Sequence, residues 1–505
     1  MLFNSPIFLF LFLPLTLAGF FLFARSLGRN AALGFLLFAC LVFYAYSSLS
    51  NFVLLLVSIA ANYAFGYAIA RFRQSSRVWL VGGIVLNLTL IGFFKYAGFL
   101  VSSVNDLLSV SFIVPHIVLP VGISFYTFEQ ISYLVETHQS GRAERSLLRY
   151  GLFVSFFPHL IAGPIIRPHQ LLPQFSNPAL GRFDWQNFAL GTTFLLFGLF
   201  KKVILADGIA VYASPVFASA ASGGTPGVVN AWGAALAYTF QIYFDFSGYT
   251  DMAIGLSLMF GIVLPFNFNS PYKATGIIDF WRRWHMTLSL FLRDYVYIPL
   301  GGNRHGGVRR YVNIMLTMLI GGLWHGANWT FVAWGGLHGL FLLVNHGWRS
   351  LRGERESSPF RQWIARIFTF LLVILAWVFF RAESFDAARR MFDGMRGLHG
   401  WINGPPPETG AWFAKLLQLG GLPIAEGWPA AGLMQFIWFV ILLAIVWGLP
   451  NTQEFLLGVG RSAGARLVWR PTLAWAAGLG LCFGVAFTYS IISVNRVSEF
   501  IYFMF

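Results

Sequence analysis

The sequence predicts an all-α, polytopic integral membrane protein with about ten to twelve transmembrane helices, some of them broken or re-entrant. The first observation behind this prediction is the composition, since 57% of the 505 residues are apolar and only 10% are charged. Soluble domains average about 45–50% apolar and about 25% charged residues, so a chain this poor in charge cannot cover its surface in water. The second observation is a succession of apolar runs of about 20 residues, the length at which a helix crosses the hydrocarbon core.

The apolar runs follow one another along the chain and predict a single transmembrane domain over residues 1–505. In order, they are Pro6–Phe23, Ala31–Tyr46, Asn51–Ala70, Val78–Leu100, Ile117–Val135, Tyr150–Ile166, Phe188–Tyr212, Trp232–Phe266, Tyr311–Val344, Trp363–Phe380, Leu433–Leu449 and Thr472–Val494. The runs that begin at Trp232 and Tyr311 are each long enough for more than one segment. Arg25 and Arg29 follow the first run and no basic residue precedes it, so we expect a retained span with its N-terminus outside.

The basic residues between the runs predict the orientation of the chain in the bilayer. Their clusters lie at 71–77, 142–149, 349–366 and 461–470, and the positive-inside rule places them in the cytoplasm. The segment 381–431 has balanced charge and a Gly-Pro-Pro-Pro run at 404–407, so we predict that it is the main extracytoplasmic loop. Because the basic loops explain much of the net charge of +15, we expect the lipid bilayer rather than nucleic acid as a partner.

Polar residues interrupt the apolar sequence most often between Pro120 and His346, the segment that we predict to be the catalytic core. Ionisable groups are costly in hydrocarbon and normally line a protein interior or a water-filled cavity. His325 stands midway through an apolar run, and its imidazole can act as a general base near neutral pH. We expect Trp324 and Asn328 to shape the substrate site around it. The alternative is a buried histidine that hydrogen-bonds a backbone carbonyl.

A second segment, 279–295, is too charged for a simple span and too aromatic for a soluble loop. Here Arg282, Arg283 and Arg293 predict binding of a phosphorylated, anionic acyl donor on the cytoplasmic side. We expect His285 to enter the same cavity as His325. The alternative is an interfacial helix, in which aromatic residues interleave with arginines.

A third segment places two carboxylates, Asp245 and Asp251, inside an apolar run, where they need partners. We count Asp245 among the predicted donor-binding residues, while the residue pattern itself favours a structural ion pair with a nearby arginine, and orientation of a histidine is a further alternative. No metal site is expected, because the ten histidines are scattered and the two cysteines lie in apolar runs. The sequence also lacks the phosphate-binding loop of ATP-driven pumps and the nucleophile elbow of serine hydrolases.

Four segments of the sequence closely resemble the membrane-bound O-acyltransferase family. They are PVGISFY at 120–126, YFDFSGY at 243–249, DFWRRWHMT at 279–287 and GGLWHGANW at 321–329. The resemblance runs from the first span to the closing segment 500–503, and it points to the bacterial membrane component of alginate O-acetylation. A cellulose-acetylating relative has similar motifs, so the sequence does not separate the two polymers. A more distant relative serves teichoic-acid D-alanylation.

The resemblance implies a ring of spans around a central funnel or tunnel in the bacterial inner membrane. His325 matches the histidine that is nearly invariant in the family, and His285 matches its second motif histidine. The resemblance further implies that no cofactor is bound and that acetyl-CoA, or another acetyl thioester, is the cytoplasmic donor substrate. The acetyl group would be delivered outward to a periplasmic partner with a serine-hydrolase-like fold, within an exopolysaccharide biosynthesis and export complex.

Three other functions remain as alternatives. A proton-coupled transporter or channel for acylated cargo would also use intramembrane His, Asp and Arg residues beside broken helices, although we found no repeated pair of interrupted spans. A polysaccharide synthase is disfavoured because the sequence shows no soluble nucleotide-sugar-binding domain. A structural scaffold for an export complex would not need so many buried ionisable groups.

Overall fold

The structure is a computed structural model that describes residues 1–304, 306–352, 358–401, 403, 428–458, 469–493 and 500–501. All regular secondary structure in these residues is helical. The predicted all-α membrane class is confirmed, since helices long and apolar enough to cross a membrane are among them. Residues 402 and 404–427 of the predicted extracytoplasmic loop lie outside the described residues, as does most of the basic cluster at 461–470.

The chain divides into two compact units, of which the first comprises residues 1–195 and 250–266 and the second comprises residues 196–249 and 267–505. Up to residue 200 the α-helices are α1 (Leu13–Ser26), α2 (Arg29–Ala45), α3 (Leu49–Arg71), α4 (Ser76–Ile91), α5 (Ala97–Leu108), α6 (Ile123–Ser140), α7 (Leu147–Ser155), α8 (Phe157–Leu160), α9 (Pro168–Phe175) and α10 (Trp185–Phe200). π-Helical turns at Phe8–Phe12 and Gly92–Tyr96 and a 3₁₀ turn at Arg73–Ser75 accompany them.

The helices after residue 200 include the second part of the predicted catalytic core, 120–346, which begins among the earlier helices. They are α11 (Asp207–Ala210), α12 (Ser214–Ala221), α13 (Val228–Met259), α14 (Ile277–Trp281), α15 (Met286–Leu292), α16 (Gly306–His325), α17 (Trp329–Arg352), α18 (Pro359–Arg381), α19 (Phe385–Met395), α20 (Trp428–Gly448), α21 (Thr452–Leu457) and α22 (Leu473–Ser493). Lys201–Ala206 and Arg293–Tyr297 form π-helical turns, and Pro271–Lys273 forms a 3₁₀ turn.

Five helical stretches among the described residues are long and apolar enough to cross a membrane. They are Phe8–Ser26, Leu49–Arg71, Arg73–Leu108, Trp185–Ala210 and Pro359–Arg381. Two shorter apolar helices, Arg29–Ala45 and Gly432–Gly448, accompany them. Large apolar side chains such as Leu107 and Val78 are exposed, as expected where the solvent is lipid. The count of ten to twelve spans stays a prediction.

The first unit buries polar side chains in pairs, as a protein at membrane depth must. Asn62 and Asn87 are fully buried and exchange side-chain hydrogen bonds of 2.6 and 3.3 Å. Glu129 and His159 are also fully buried, and His159 Nδ1 lies 2.9 Å from Glu129 Oε1. The second contact joins the segments around Glu129 and His159 within this unit.

In the second unit, the long apolar run at 311–344 is broken into a helical hairpin. α16 ends at His325 and α17 begins at Trp329, and the amide oxygen of Asn328 caps α17 by accepting a 3.0 Å bond from the Thr330 N–H. The two helices pack backbone to backbone at Gly335, where an added Cβ would collide with the Met318 carbonyl. His325 therefore lies at the end of a helix, beside a break, and not midway through a span.

Candidate active site

His325 is the last residue of α16, and aromatic rings surround its imidazole. Its side chain is 3% exposed. The ring centroid of His325 lies 4.9 Å from that of Trp324, 5.1 Å from that of Trp334 and 5.2 Å from that of Phe380. The rings of Trp334 and Phe380 meet the imidazole edge to face. This packing fixes the plane of the ring and excludes bulk water from it.

His285 lies in the short break between α14 and α15, and its backbone adopts the left-handed conformation with φ +42°. This conformation costs a residue with a Cβ roughly 1–2 kcal/mol. Asn267 stabilises the break, because its backbone carbonyl accepts a 2.9 Å bond from the Met286 N–H and its amide oxygen accepts a 2.6 Å bond from the Thr287 hydroxyl. Strained backbone of this kind often occurs at functional sites, where the surrounding structure holds a side chain in one position.

The same amide oxygen of Asn267 lies 3.3 Å from Nδ1 of His285. An amide oxygen can only accept a hydrogen bond, so this contact assigns the proton of the neutral imidazole to Nδ1. Nε2 of His285 then carries the lone pair. Both His285 and Asn267 are fully buried. Asn267 was not predicted from the sequence, because it stands outside the four sequence motifs.

The structure brings the two predicted histidines together. The ring centroids of His285 and His325 are 6.3 Å apart, and the ring of Trp324 contacts both, at 5.9 Å from His285 and 4.9 Å from His325. The ring of Phe246, from the YFDFSGY segment, packs edge-on at 4.7 Å from His285. Three of the four sequence motifs thus meet at one buried place, where two imidazoles can share proton transfer.

Asn328 lies three residues beyond His325 and is partly buried. Its amide nitrogen donates a 2.9 Å hydrogen bond to the Glu383 carbonyl, while its oxygen caps α17. Asn328 therefore ties the turn after His325 to the segment between α18 and α19. Its role in shaping the substrate site, like that of Trp324, stays a prediction.

The three predicted donor-binding arginines differ in their surroundings. Arg283 pairs with Asp279 at 2.8 Å and is one-third exposed, and Arg293 pairs with its neighbour Asp294 at 2.6 Å and is half exposed. Arg282 is also exposed. These exposed positions are accessible to an anionic ligand, and the donor-binding role of the three arginines stays a prediction.

Asp245 is 1% exposed and forms an ion pair with the equally buried Lys202, at 2.7 Å. Lys202 also pairs with Asp207 at 2.9 Å. The second carboxylate oxygen of Asp245 accepts a 3.0 Å bond from the backbone N–H of Ile501. The sequence alternative of a structural ion pair is therefore observed, with a lysine rather than the expected arginine as partner, and donor binding by Asp245 stays a prediction. Lys202 was visible in the sequence as a lysine within an apolar run.

His338 and Trp334, two fully buried residues of α17, were not predicted from the sequence. Their rings are in contact at 4.8 Å, and Trp334 packs against His325 as described above. Only the position of His338 inside an apolar run hinted at a role. Within the described ranges, no three His, Cys, Asp or Glu side chains come together as a metal ion would require.

Comparison with known proteins identifies the family to which these motifs belong. Residues 83–385 match MBOAT, the membrane-bound O-acyltransferase family. The probable alginate O-acetylase AlgI of Azotobacter vinelandii is 45% identical over 409 residues, which cover 79% of this chain and 79% of that protein. The peptidoglycan O-acetyltransferase of Helicobacter pylori is 42% identical over 430 residues, covering 79% and 80%. A teichoic acid D-alanyltransferase of Streptococcus thermophilus is 28% identical over 282 residues, covering 51% and 67%.

Proposed function

The chain belongs to the membrane-bound O-acyltransferase family, and on that premise we propose that it moves an acetyl group from a cytoplasmic donor across the bacterial inner membrane for O-acetylation of an exopolysaccharide. The observation that carries this proposal is the pair of buried histidines, His285 and His325, whose ring centroids are 6.3 Å apart. Acyl transfer needs a group that takes the proton of the attacking hydroxyl and returns a proton to the leaving thiolate. Two imidazoles at this separation can share that proton transfer.

In the proposed reaction, His325 takes the proton of an acceptor hydroxyl while the oxygen attacks the thioester carbonyl. A carbon–oxygen bond forms, the carbon–sulfur bond breaks, and His325 returns the proton to the leaving thiolate. His285 shares the proton transfer or orients the thioester. Trp324, which contacts both imidazoles, and Asn328 shape the site between them.

The proposed donor is acetyl-CoA or another acetyl thioester, taken up as a substrate. Arg282, Arg283 and Arg293 are exposed or partly exposed and present guanidinium groups, which suit the phosphates of such a donor. All three belong to segment 279–295, which also contains His285, so they would bind a donor close in sequence to the catalytic histidine. The positive-inside rule favours the cytoplasmic side for basic residues, which supports donor entry from that side.

The proposed acceptor polymer is alginate, because relatives described as probable alginate O-acetylases are 42–45% identical. Peptidoglycan is the second candidate, since a relative of comparable identity and coverage is described as a peptidoglycan O-acetyltransferase; the sequence analysis did not consider it. We further propose a periplasmic, serine-hydrolase-like partner that places the acetyl group on the polymer. The other proposed associations are the inner-membrane bilayer and an exopolysaccharide biosynthesis and export complex.

The test of the acceptor is the acetyl content of each polymer in a strain that lacks this gene. Alginate and peptidoglycan are purified from the deletion strain and from the complemented strain, and their ester-linked acetate is measured. We expect alginate to lose its acetyl groups and to regain them on complementation. Loss confined to peptidoglycan would transfer the proposal to the second polymer, and unchanged acetyl content in every polymer would contradict the proposal.

Purified protein distinguishes acyl transfer from transport. In nanodiscs, the wild-type protein is expected to release coenzyme A thiol from acetyl-CoA, whereas a carrier of acetylated cargo would leave the thioester intact. Release that is unaffected by substitution of His325 would contradict its assignment as the catalytic base.

A further inference from the structure

We propose that His338 is a positioning residue that fixes the placement of His325 relative to His285. This inference rests on the proposed function of those two histidines. His338 belongs to α17 and lies outside the two histidine motifs, yet its contacts connect the segment before His285 with the ring that packs on His325.

The first connection is a hydrogen bond. The indole Nε1–H of Trp281 lies 3.3 Å from Nδ1 of His338. An indole nitrogen can only donate, so Nδ1 of His338 is the acceptor, and the proton of the neutral imidazole is on Nε2. Trp281 ends α14 and stands four residues before His285. The side chains of His338 and His285 are fully buried and that of Trp281 is partly buried, so loss of the acceptor for the indole N–H would be costly.

The second connection is ring packing. The imidazole of His338 stacks on Phe280, with ring planes 10° apart and centroids 5.9 Å apart. The same imidazole meets Trp334 edge to face at 4.8 Å, and Trp334 in turn meets His325 at 5.1 Å. Trp281 also contacts Trp334 directly, at 5.8 Å. His338 is therefore bonded to the segment that carries His285 and packed against the residue that supports His325.

This position requires both a flat ring and a hydrogen-bond acceptor. Phenylalanine would keep the ring against Phe280 and Trp334 but leave the Trp281 N–H without its acceptor. Asparagine would place an amide oxygen near the site of Nδ1 but lose most of the ring contact. The two substitutions at His338 therefore separate the acceptor from the packing.

The experiment measures coenzyme A release from acetyl-CoA by the full-length protein in nanodiscs, with unfolding temperature measured alongside. We expect His338→Phe to lower the turnover number roughly 10- to 100-fold, since small misplacement of reacting groups has effects of that size. The KM for acetyl-CoA is expected to stay within about twofold of the wild-type value, because the arginines proposed to bind the donor are untouched. His338→Asn is expected to retain more turnover than His338→Phe, although it fills the site less well.

Trp281→Phe removes the donor of the same hydrogen bond and leaves His338 unchanged. It is expected to reproduce the turnover loss of His338→Phe, and the double variant is expected to be no worse than either single variant. His116→Phe is the control, since His116 is exposed and precedes the predicted catalytic core; it is expected to behave like the wild type.

Two results would overturn the role of His338. A turnover in His338→Phe equal to or above that in His338→Asn would reduce His338 to a packing residue. Wild-type turnover in Trp281→Phe would do the same, even if His338→Phe fails to fold. The wild-type rate itself reports on the proposed function, so a protein inactive in every form contradicts that function, whereas an active wild type with equally active variants contradicts only the role of His338.

Discussion

The imidazoles of His285 and His325 belong to segments 40 residues apart in the chain, and their ring centroids lie 6.3 Å apart in the folded protein. One is held at a strained helix break and the other at a helix end. The amide of Asn267 bonds His285, and rings from α17 and α18 pack on His325. Two separately supported imidazoles that approach each other in this way can hold a reacting group between them.

Substitution of His285 by asparagine is expected to lower acetyl transfer about 100-fold or more, since loss of one general acid–base group typically costs 10²–10⁴-fold. Asparagine tolerates the left-handed backbone found here, so the variant should fold and insert normally. Turnover is measured in nanodiscs and folding by the unfolding temperature. Activity near the wild-type value, in a protein that unfolds at the wild-type temperature, would make His285 a structural residue.

Replacement of Asn267 by leucine removes the oxygen that bonds His285 Nδ1 and the Thr287 hydroxyl. We expect turnover to fall roughly 10-fold, because the imidazole of His285 would lose its fixed tautomer and orientation. Asn267→Asp, which keeps an oxygen at this position, is the matched variant and is expected to retain more turnover. Equal activity in both variants would show that the contact does not position His285.

The arginines of segment 279–295 are expected to contribute to donor binding rather than to the acyl-transfer step. Substitution of Arg283 or Arg293 by glutamine should raise the KM for acetyl-CoA several-fold and leave the turnover number nearly unchanged, as loss of uniform binding does. Arg25→Gln, outside the segment, serves as the control. A fall in turnover with an unchanged KM would contradict the donor-binding role.

Substitutions in the Lys202–Asp245 ion pair can distinguish a structural role of Asp245 from a role in donor binding. Removing one member of a buried pair costs about 3–5 kcal/mol, because the other charge is left without compensation. Lys202→Met should therefore lower the unfolding temperature more than the double variant Lys202→Met with Asp245→Asn. If Asp245→Asn instead raises the KM for acetyl-CoA without any change in unfolding, Asp245 belongs to the donor site.

Much of the fold class and of the site could be predicted from the sequence, because hydrocarbon imposes simple rules. The apolar runs predicted the helices, and the cost of a buried imidazole singled out His285 and His325. The exact breaks were less predictable. The apolar run at 311–344 is interrupted at 326–328, where the capping side chain of Asn328 and the close packing at Gly335 form a hairpin.

The supporting residues could not be predicted, because they act through tertiary contacts. Asn267 stands 18 residues before His285, and no local pattern joins them. Lys202 stands in an apolar run but was not singled out, because its pairing with Asp245 depends on how α13 packs. The sequence around His338 is apolar, as it would be around any histidine of a protein core. Its hydrogen bond to Trp281 is what distinguishes it, and that bond is visible only in the structure.

The most direct test of acetyl transfer by this protein is the acetyl content of the exopolysaccharide in a deletion strain complemented with His325→Ala. The amount of the variant in the membrane fraction is matched to that of the wild type. We predict that acetylation is abolished while the protein remains folded and inserted. Normal acetyl content in that strain would contradict the assignment of His325 as the catalytic base.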